Sequence, residues 1–187
     1  MTEVPVLRGT QVILRPPIPS DAEDRWIYGN DPELWRLYGE EPGDLTYEAA
    51  TRGYRAALEP EPNVYRWVFE ADGRAVGNGR LAIQEGGART ARYAVGIFNR
   101  AYWNRGLGTE ATRLILRFGF EEIGLHRIEL RVIEYNARAI RSYQKCGFVR
   151  EGIERETVFL DGRWHDDVKM AILEDEYRAL APGWWAN

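Results

Sequence analysis

From residue 64 onward the hydrophobic pattern changes period, and this change constrains the fold more than any other feature of the sequence. Residues 64–71, 74–84 and 89–98 read as three β-like segments separated by Asp72-Gly73 and Gly86-Gly87. Short turns of this kind favour positive φ and join antiparallel neighbours, so the three segments predict a meander. A third such turn, Asp161-Gly162, joins a segment over 148–160 to another over 163–173. Between these β regions, residues 106–123 carry Leu107, Ala111, Leu114, Ile115 and Phe118 at three- and four-residue intervals, the spacing of one helical face. Residues 126–134 form a strand with Ile128, Leu130 and Val132 on one side. A second helix over 136–146 takes Asn136 as its cap and Gly147 as the left-handed residue that ends it.

The first third of the chain reads differently. Residues 12–15 make a short strand stopped by Pro16-Pro17. Ser20, with Glu23 three residues on, has the form of a capping box for a helix ending near Gly29-Asn30. Residues 31–45 hold Pro32, Gly39, Pro42 and Gly43 and predict an irregular connection. Thr46 caps a helix from Tyr47 to about Leu58, terminated by Pro60 and Pro62. The order is α+β, and no Pro-, Gly- or Ser-rich linker divides it. One domain over residues 1–187 is expected, with its core at about 10–175.

Composition excludes several function classes. The 187 residues include 25 Lys plus Arg against 29 Asp plus Glu, a net charge of −4 that argues against a nucleic-acid binder. One cysteine permits no internal disulfide and suits a reducing cytoplasm. No stretch approaches the ~18 apolar residues of a membrane span, and Met1-Thr2-Glu3-Val4-Pro5 lacks the form of a signal peptide. The seven Trp and ten Tyr either fill a core or line a pocket. His165-Asp166-Asp167 has no second His nearby, and neighbouring strand residues point to opposite faces, so no metal site is expected. Cys146 has no His to activate it and reads as a packed residue rather than a nucleophile. His126 reads as structural, and Trp184-Trp185 trail the last strand without an account.

Chemistry concentrates in two stretches. In the first, Val95-Gly96-Ile97-Phe98 ends a strand, and Tyr102-Trp103-Asn104-Arg105-Gly106-Leu107-Gly108-Thr109-Glu110-Ala111 carries a two-glycine loop into a helix. Free N–H groups at a helix start attract phosphate, and glycines let the backbone approach it. A plain glycine-bearing turn before a core helix reads equally well from this stretch alone. A Walker loop is excluded because Thr109-Glu110 follows Gly108 with no Lys, and a dinucleotide fingerprint lacks its third glycine. The second stretch runs from Asn136 through Ser142-Tyr143 to Cys146-Gly147-Phe148 and places Asn136 and Tyr143 two turns apart on one helical face.

Together the two stretches resemble the GNAT superfamily of N-acetyltransferases. Residues 103–108 look like its Q/R-x-x-G-x-G/A segment, with Trp103 at the first position, and residues 136–148 look like its later Asn-to-Tyr helix followed by Gly-Phe. The chain is more narrowly similar to the ribosomal-protein N-terminal (alanine) acetyltransferase branch. The resemblance covers about residues 10–175 and rests on Leu14-Arg15, Tyr102-Trp103, Thr109-Glu110-Ala111 and Gly162-Arg163-Trp164-His165-Asp166.

The resemblance implies a mixed, mostly antiparallel central sheet flanked by helices, with a splay between the fourth and fifth strands. It also implies acetyl-CoA as co-substrate, no metal, and a primary amine as acceptor, favoured as a protein N-terminus. The alternatives are a small amine (a polyamine, amino sugar or antibiotic) and a non-catalytic CoA-binding domain. A homodimer is compatible with it. On this reading the amides of Arg105, Gly106, Leu107, Gly108 and Thr109, with Asn104 before them, hold the pyrophosphate, and Arg105 adds charge. Val95 and Ile97 pair with the pantetheine arm, an N–H near Ile97 donates to the thioester oxygen, and Asn136 anchors the arm. Tyr143 is the general acid. Some members carry a glutamate base on the strand before the later helix, where this chain has Arg131. Glu129 shares Arg131's strand parity and is the candidate base, with a water relay or a plain ion pair to Arg131 or Arg127 as the alternatives. Trp26, Trp35 and Tyr38 either line the acceptor pocket or pack, and Glu40-Glu41 favour a cationic acceptor.

Overall fold

A computed structural model describes residues 3–87 and 89–185. Met1 and Thr2, part of the N-terminal reading above, lie outside the described residues. Eight strands form one sheet in the order β1-β2-β3-β4-β5-β6-β8-β7. They are β1 Leu7–Arg8, β2 Ile13–Arg15, β3 Val64–Ala71, β4 Arg74–Ile83, β5 Thr90–Ile97, β6 Arg127–Ile133, β7 Val149–Leu160 and β8 Arg163–Leu173. The helices are α1 Asp21–Tyr28, α2 Pro32–Leu37, α3 Tyr47–Leu58, α4 Leu107–Arg117, α5 Ala137–Lys145 and α6 Glu174–Trp185. A π-helical segment, Phe118–Ile123, continues α4.

The expected meander is β3-β4-β5, antiparallel throughout. Asp72-Gly73 and Asp161-Gly162 hold positive φ at both central positions, the backbone a two-residue hairpin with the right twist requires. Among the described residues the single parallel neighbour pair is β5 with β6, whose register runs only from Thr90↔Arg127 to Arg92↔Glu129. Beyond Arg92 the two strands diverge. This is the splay expected between the fourth and fifth strands, which become β5 and β6 because the short β1, Leu7–Arg8, adds a strand that the sequence pattern does not announce; it opens the sheet at its middle.

Alternation along β3 sends residues to two faces. Trp67 and Phe69 join Leu81, Leu114, Ile115 and Ile128 in the larger core, under α4, α5 and α6. Val68 joins Ala22, Leu34, Tyr54 and Phe98 in a smaller core, under α1, α2 and α3. Leu114 and Ile115 are fully buried and each contributes roughly 1.5–3 kcal/mol.

The N-terminal region departs from expectation in two further ways. The Ser20 side chain makes no cap hydrogen bond. Buried Asp21 ties the helix start instead, accepting from Ile18 N at 2.7 Å and pairing with Arg15 at 2.6 Å. The connection over 31–45 contains α2, started by Pro32 at its first position, where no N–H is needed, and capped by Asp31 accepting from Glu33 N. At the other end, the Trp184-Trp185 pair belongs to α6. Trp184 packs edge-on to Tyr177 at 5.7 Å and receives the Arg113 guanidinium at 5.1 Å, which fastens α6 to α4.

Candidate active site

The splay leaves one edge of β5 without a strand partner, and the ladder register says which groups line it. Gln84 N donates to Thr90 O, so that opposed pair is hydrogen-bonded. Antiparallel pairs alternate, which makes Asn78↔Gly96 hydrogen-bonded and turns the amides of Val95 and Ile97 away from β4, toward the splay. The Ile97 carbonyl on that edge accepts from Trp103 Nε1 at 2.7 Å, which pins the following loop to the strand.

That loop enters α4 through Asn104 and Gly106, both at positive φ. Gly106 at φ +86° is a position where any L side chain is strained. The N–H groups of residues 106–109 donate to no partner among the described residues, so the helix start presents free donors. Facing them is α5. Asn136 caps it by accepting from Ala139 N at 3.0 Å, which leaves its amide nitrogen available. Thr109 and Ser142 hydroxyls meet at 2.9 Å between the two helices.

A cavity of about 300 Å³ lies between them, lined by Val95, Ile97, Asn104, Gly106, Leu107, Gly108, Thr109, Asn136 and Tyr143 among others. Every residue expected to hold the pyrophosphate and its arm lines it except Arg105. The Arg105 guanidinium lies over the Tyr102 ring at 4.9 Å instead. The positive charge comes from Arg138, Arg141 and Lys145 on α5, which the sequence reading missed. Their spacing of three and four residues, one helical face, was the available signal. The set suits a long ligand with a diphosphate: amide donors and a helix start at one end, an unpaired strand edge at the other.

A second cavity of about 770 Å³ lies on the far side of the splay. It is backed by the small residues of α3 (Ala49, Ala50, Gly53 and Ala57), whose lack of bulk leaves the space. The two cavities share four lining residues: Tyr38, Val95, Gly96 and Tyr143. A Cβ at Gly96 would collide with the Tyr38 hydroxyl, so glycine is what lets Tyr38 close over the strand. Tyr38 is exposed along part of its ring, but its hydroxyl end is enclosed and burial pushes its pKa up. Tyr143 is buried, with its ring set edge-on to Tyr93 at 6.4 Å and Phe148 at 5.8 Å. Burial first, and the neighbouring Tyr38 second, push its pKa well above the usual phenol range. Its hydroxyl makes no hydrogen bond to a described residue, yet it borders both cavities. The residue is buried, but its hydroxyl is not among the buried unpartnered atoms, so the oxygen is reached from the cavities it borders.

Four other polar groups give the larger cavity its character. Arg66 and Arg80 both pair with Glu61, and Arg131 pairs with Glu154 at 2.7 Å. Asp167 is the single carboxylate lining the cavity among the described residues, and no hydrogen bond or ion pair engages it there.

Several expected residues lie elsewhere. Glu129 lines neither cavity. It accepts from Gln84 at 2.9 Å and Arg127 at 3.1 Å and faces Arg92 at 3.4 Å. Burial pushes its pKa up, but the hydrogen bonds from Gln84 and Arg127 outweigh that and hold it below the ordinary carboxylate value. The ion-pair reading therefore describes its surroundings, with Arg127 rather than Arg131 as partner. Trp26 is exposed and packs edge-on to Tyr47 at 5.6 Å, and Trp35 lies beside Gly43. Neither lines either of these two cavities; of the three aromatic candidates Tyr38 lines both. Glu40 and Glu41 are exposed, and Glu41 accepts from Asp161 N at 2.9 Å, away from both cavities. Cys146 is buried and its thiol is pushed up to about 12 by burial, so it stays protonated.

Residues 11–149 match the family model described as an acetyltransferase (GNAT) domain. A protein of Bacillus subtilis (strain 168) named as a probable N-acetyltransferase is 31% identical over 180 residues, covering 91% of this chain and 98% of that protein. The spermidine N(1)-acetyltransferase of Escherichia coli (strain K12) is 29% identical over 164 residues, 86% of this chain and 87% of the enzyme. Among solved structures, the spermidine N-acetyltransferase from Vibrio cholerae in complex with CoA and spermine superposes with a TM-score of 0.77 at 26% identity, over 91% of this chain and 99% of that one. The family model, the near full-length relatives and the splayed sheet agree: the chain belongs to the GNAT family of acetyl-CoA-dependent N-acetyltransferases.

Proposed function

We propose that this chain moves the acetyl group of acetyl-CoA to the primary amine of a small molecule, with the donor in the smaller cavity and the acceptor in the larger. One observation carries the reading: the two cavities meet at Tyr143, Tyr38 and the Val95-Gly96 edge of β5. Acyl transfer between two bound substrates needs such a junction, because the reacting atoms must come within about 3–3.5 Å.

The amides of residues 106–109, with Arg138, Arg141 and Lys145, bind the diphosphate of the donor. The β5 edge and the Asn136 amide nitrogen orient its arm. When the amine nitrogen attacks the thioester carbon, a C–N bond forms and charge builds on the thioester oxygen. The Val95 or Ile97 amide donates to that oxygen as a preorganised dipole. The bound ammonium gives one proton to solvent before attack, which frees the lone pair. As the C–S bond breaks, Tyr143 gives its proton to the departing sulfur, and the second nitrogen proton, shed as the amide forms, passes through solvent to restore the phenol. Asp167 faces the amine side and steadies the ammonium before attack. Glu129, held by Arg127 and Gln84 outside both cavities, takes no part as base.

A small acceptor is favoured by an α3-backed cavity and by relatives named as spermidine acetyltransferases over most of their length. The protein N-terminal amine rests on the branch motifs at Tyr102-Trp103 and residues 162–166. A CoA-binding domain without catalysis has no use for a free tyrosine hydroxyl at the junction of a donor cavity and an acceptor cavity.

The test is thiol release from acetyl-CoA in the presence of small amines and of N-terminal peptides, with the acetylated product identified by mass. Release that rises with a small amine and yields one acetylated amine per thiol is expected. Turnover of the peptides alone would move the acceptor to a protein N-terminus. Tight acetyl-CoA binding with no acceptor-dependent release would refute the enzyme reading.

A further inference from the structure

The charge inside the acceptor cavity is the reverse of what a polycationic substrate needs. Four arginines line it (Arg25, Arg66, Arg80 and Arg131) against one carboxylate, Asp167. Glu61 serves both Arg66 and Arg80, and Glu154 is shared between Arg131 and Lys169, so positive charge remains in excess.

Arg25 stands apart from the other three. Its guanidinium lies over the Phe98 ring at 5.6 Å and against the Cα of Gly29, where a side chain would have no room. It forms no ion pair and no hydrogen bond with any described residue; its Nη1 is buried without a partner against Gly29, while Nε and Nη2, unpartnered and outside the buried atoms, are the part of the fork open to the cavity. Two of the three acids on the same helix are committed elsewhere, and the third, Glu23, is exposed. Asp21 holds Arg15 and the Ile18 amide, while Asp24 accepts from the Ala75 amide at 2.9 Å and faces Arg74. The Tyr54 hydroxyl, lining the same cavity, is likewise buried with no partner. A guanidinium is a rigid fork of donors that matches an oxyanion in two-point geometry. Donors of this kind left unengaged inside a cavity call for an acceptor supplied from outside.

The geometry points to an acceptor that carries an oxyanion as well as its amine: Arg25, helped by the Tyr54 hydroxyl, holds a carboxylate or phosphate of the substrate, and Asp167 faces its ammonium. This deepens the proposed function and rests on it. A polyamine, though the substrate in the names of some relatives, meets repulsion here at its second cationic centre.

The experiment compares kcat/KM for four sets of primary amines of matched length: aminocarboxylates, aminoalkyl phosphates, neutral alkylamines and polyamines. The expected result is that one of the two anionic sets exceeds the neutral amines by 10-fold or more, with polyamines below both. Whether carboxylates or phosphates lead identifies the anion. Arg25→Gln should collapse the preference for the anionic set over the neutral amine of equal length to near unity, chiefly through KM. Arg25→Lys, which keeps the charge but not the fork, should retain part of it, and acetyl-CoA binding by calorimetry checks that each variant is folded. A polyamine or neutral amine as best acceptor, or an anionic preference that survives Arg25→Gln, overturns the inference while leaving acetyl transfer standing. Failure of every set to release thiol overturns the transferase reading and this inference with it.

Discussion

Tyr143→Phe removes one oxygen atom and little else, which makes it the cleanest perturbation of the proposed chemistry. The ring contacts with Tyr93 and Phe148 survive, and the hydroxyl has no hydrogen-bond partner among the described residues to orphan. Stability should therefore change by no more than ~0.5 kcal/mol, the range of substitutions that break no named interaction. The rate should change far more. General acid catalysis contributes about 10²–10⁴-fold, and a thiolate with a solution pKa near ~8.5 is a tolerable leaving group, so the lower end applies. A loss of ~10²-fold in kcat corresponds to about 2.7 kcal/mol of transition-state stabilisation. Because burial holds the phenol above its ordinary value of 10.0, the wild-type rate should show no falling limb from Tyr143 below pH 10. Thiol release followed optically across pH, with saturating amine, measures both effects, and thermal unfolding monitors the fold. An unchanged kcat in the variant would refute the assignment of Tyr143, and a large loss of stability would show that the hydroxyl is structural.

Other perturbations separate donor site, acceptor site and fold. Gly106→Ala forces φ +86° on an L residue at a cost of roughly 1–2 kcal/mol, and should weaken acetyl-CoA binding in calorimetry more than it raises KM for the amine. Gly53 lies in α3 with open space where a Cβ would sit and lines the acceptor cavity, so Gly53→Leu should raise KM for the amine about 10-fold and leave acetyl-CoA affinity alone. Glu129→Gln should leave kcat within about twofold; a loss of the 10²-fold order would restore Glu129 as the base. The same carboxylate has its folded pKa depressed, so its stabilising contribution is complete above the unfolded value of 4.5 and fades as pH falls below it. In urea unfolding, Glu129→Gln should accordingly cost stability at pH 7 and none well below the folded pKa.

Much of the scaffold is legible in the sequence because its signals are local. The Asp-Gly turns, the helical face of Leu107 to Phe118, and the Asn136 and Gly147 caps each depend on a few neighbouring residues. So does the two-glycine loop, and it formed where its composition placed it. What escaped depends on which side chains pair with which, near or far along the chain. Ser20 reads as a cap, but the Arg15 guanidinium makes Asp21 the better tether for the helix start. Arg105 reads as a phosphate ligand, but the Tyr102 ring three residues earlier captures it, a side-chain choice that no hydrophobic periodicity announces. Helix α6 carries Pro182 and draws its packing from Arg113 and Phe120 on another helix and its continuation, so no internal periodicity announced it. The acceptor cavity is the extreme case. Its walls come from α1, α3 and six strands, and its unpartnered Arg25 and Asp167 are separated by most of the chain.

The central claim is that the two cavities form one continuous site joined at Tyr143 and Gly96. A bisubstrate analogue, coenzyme A linked through an acetyl bridge to a primary amine, tests it directly. Calorimetry of coenzyme A and of the analogue against the wild-type chain is the measurement. The account predicts that the analogue binds at least 10²-fold more tightly than coenzyme A, because one molecule then fills both cavities without a second loss of translational freedom. Equal affinities for the two ligands would mean that the cavities do not communicate, and would contradict the account.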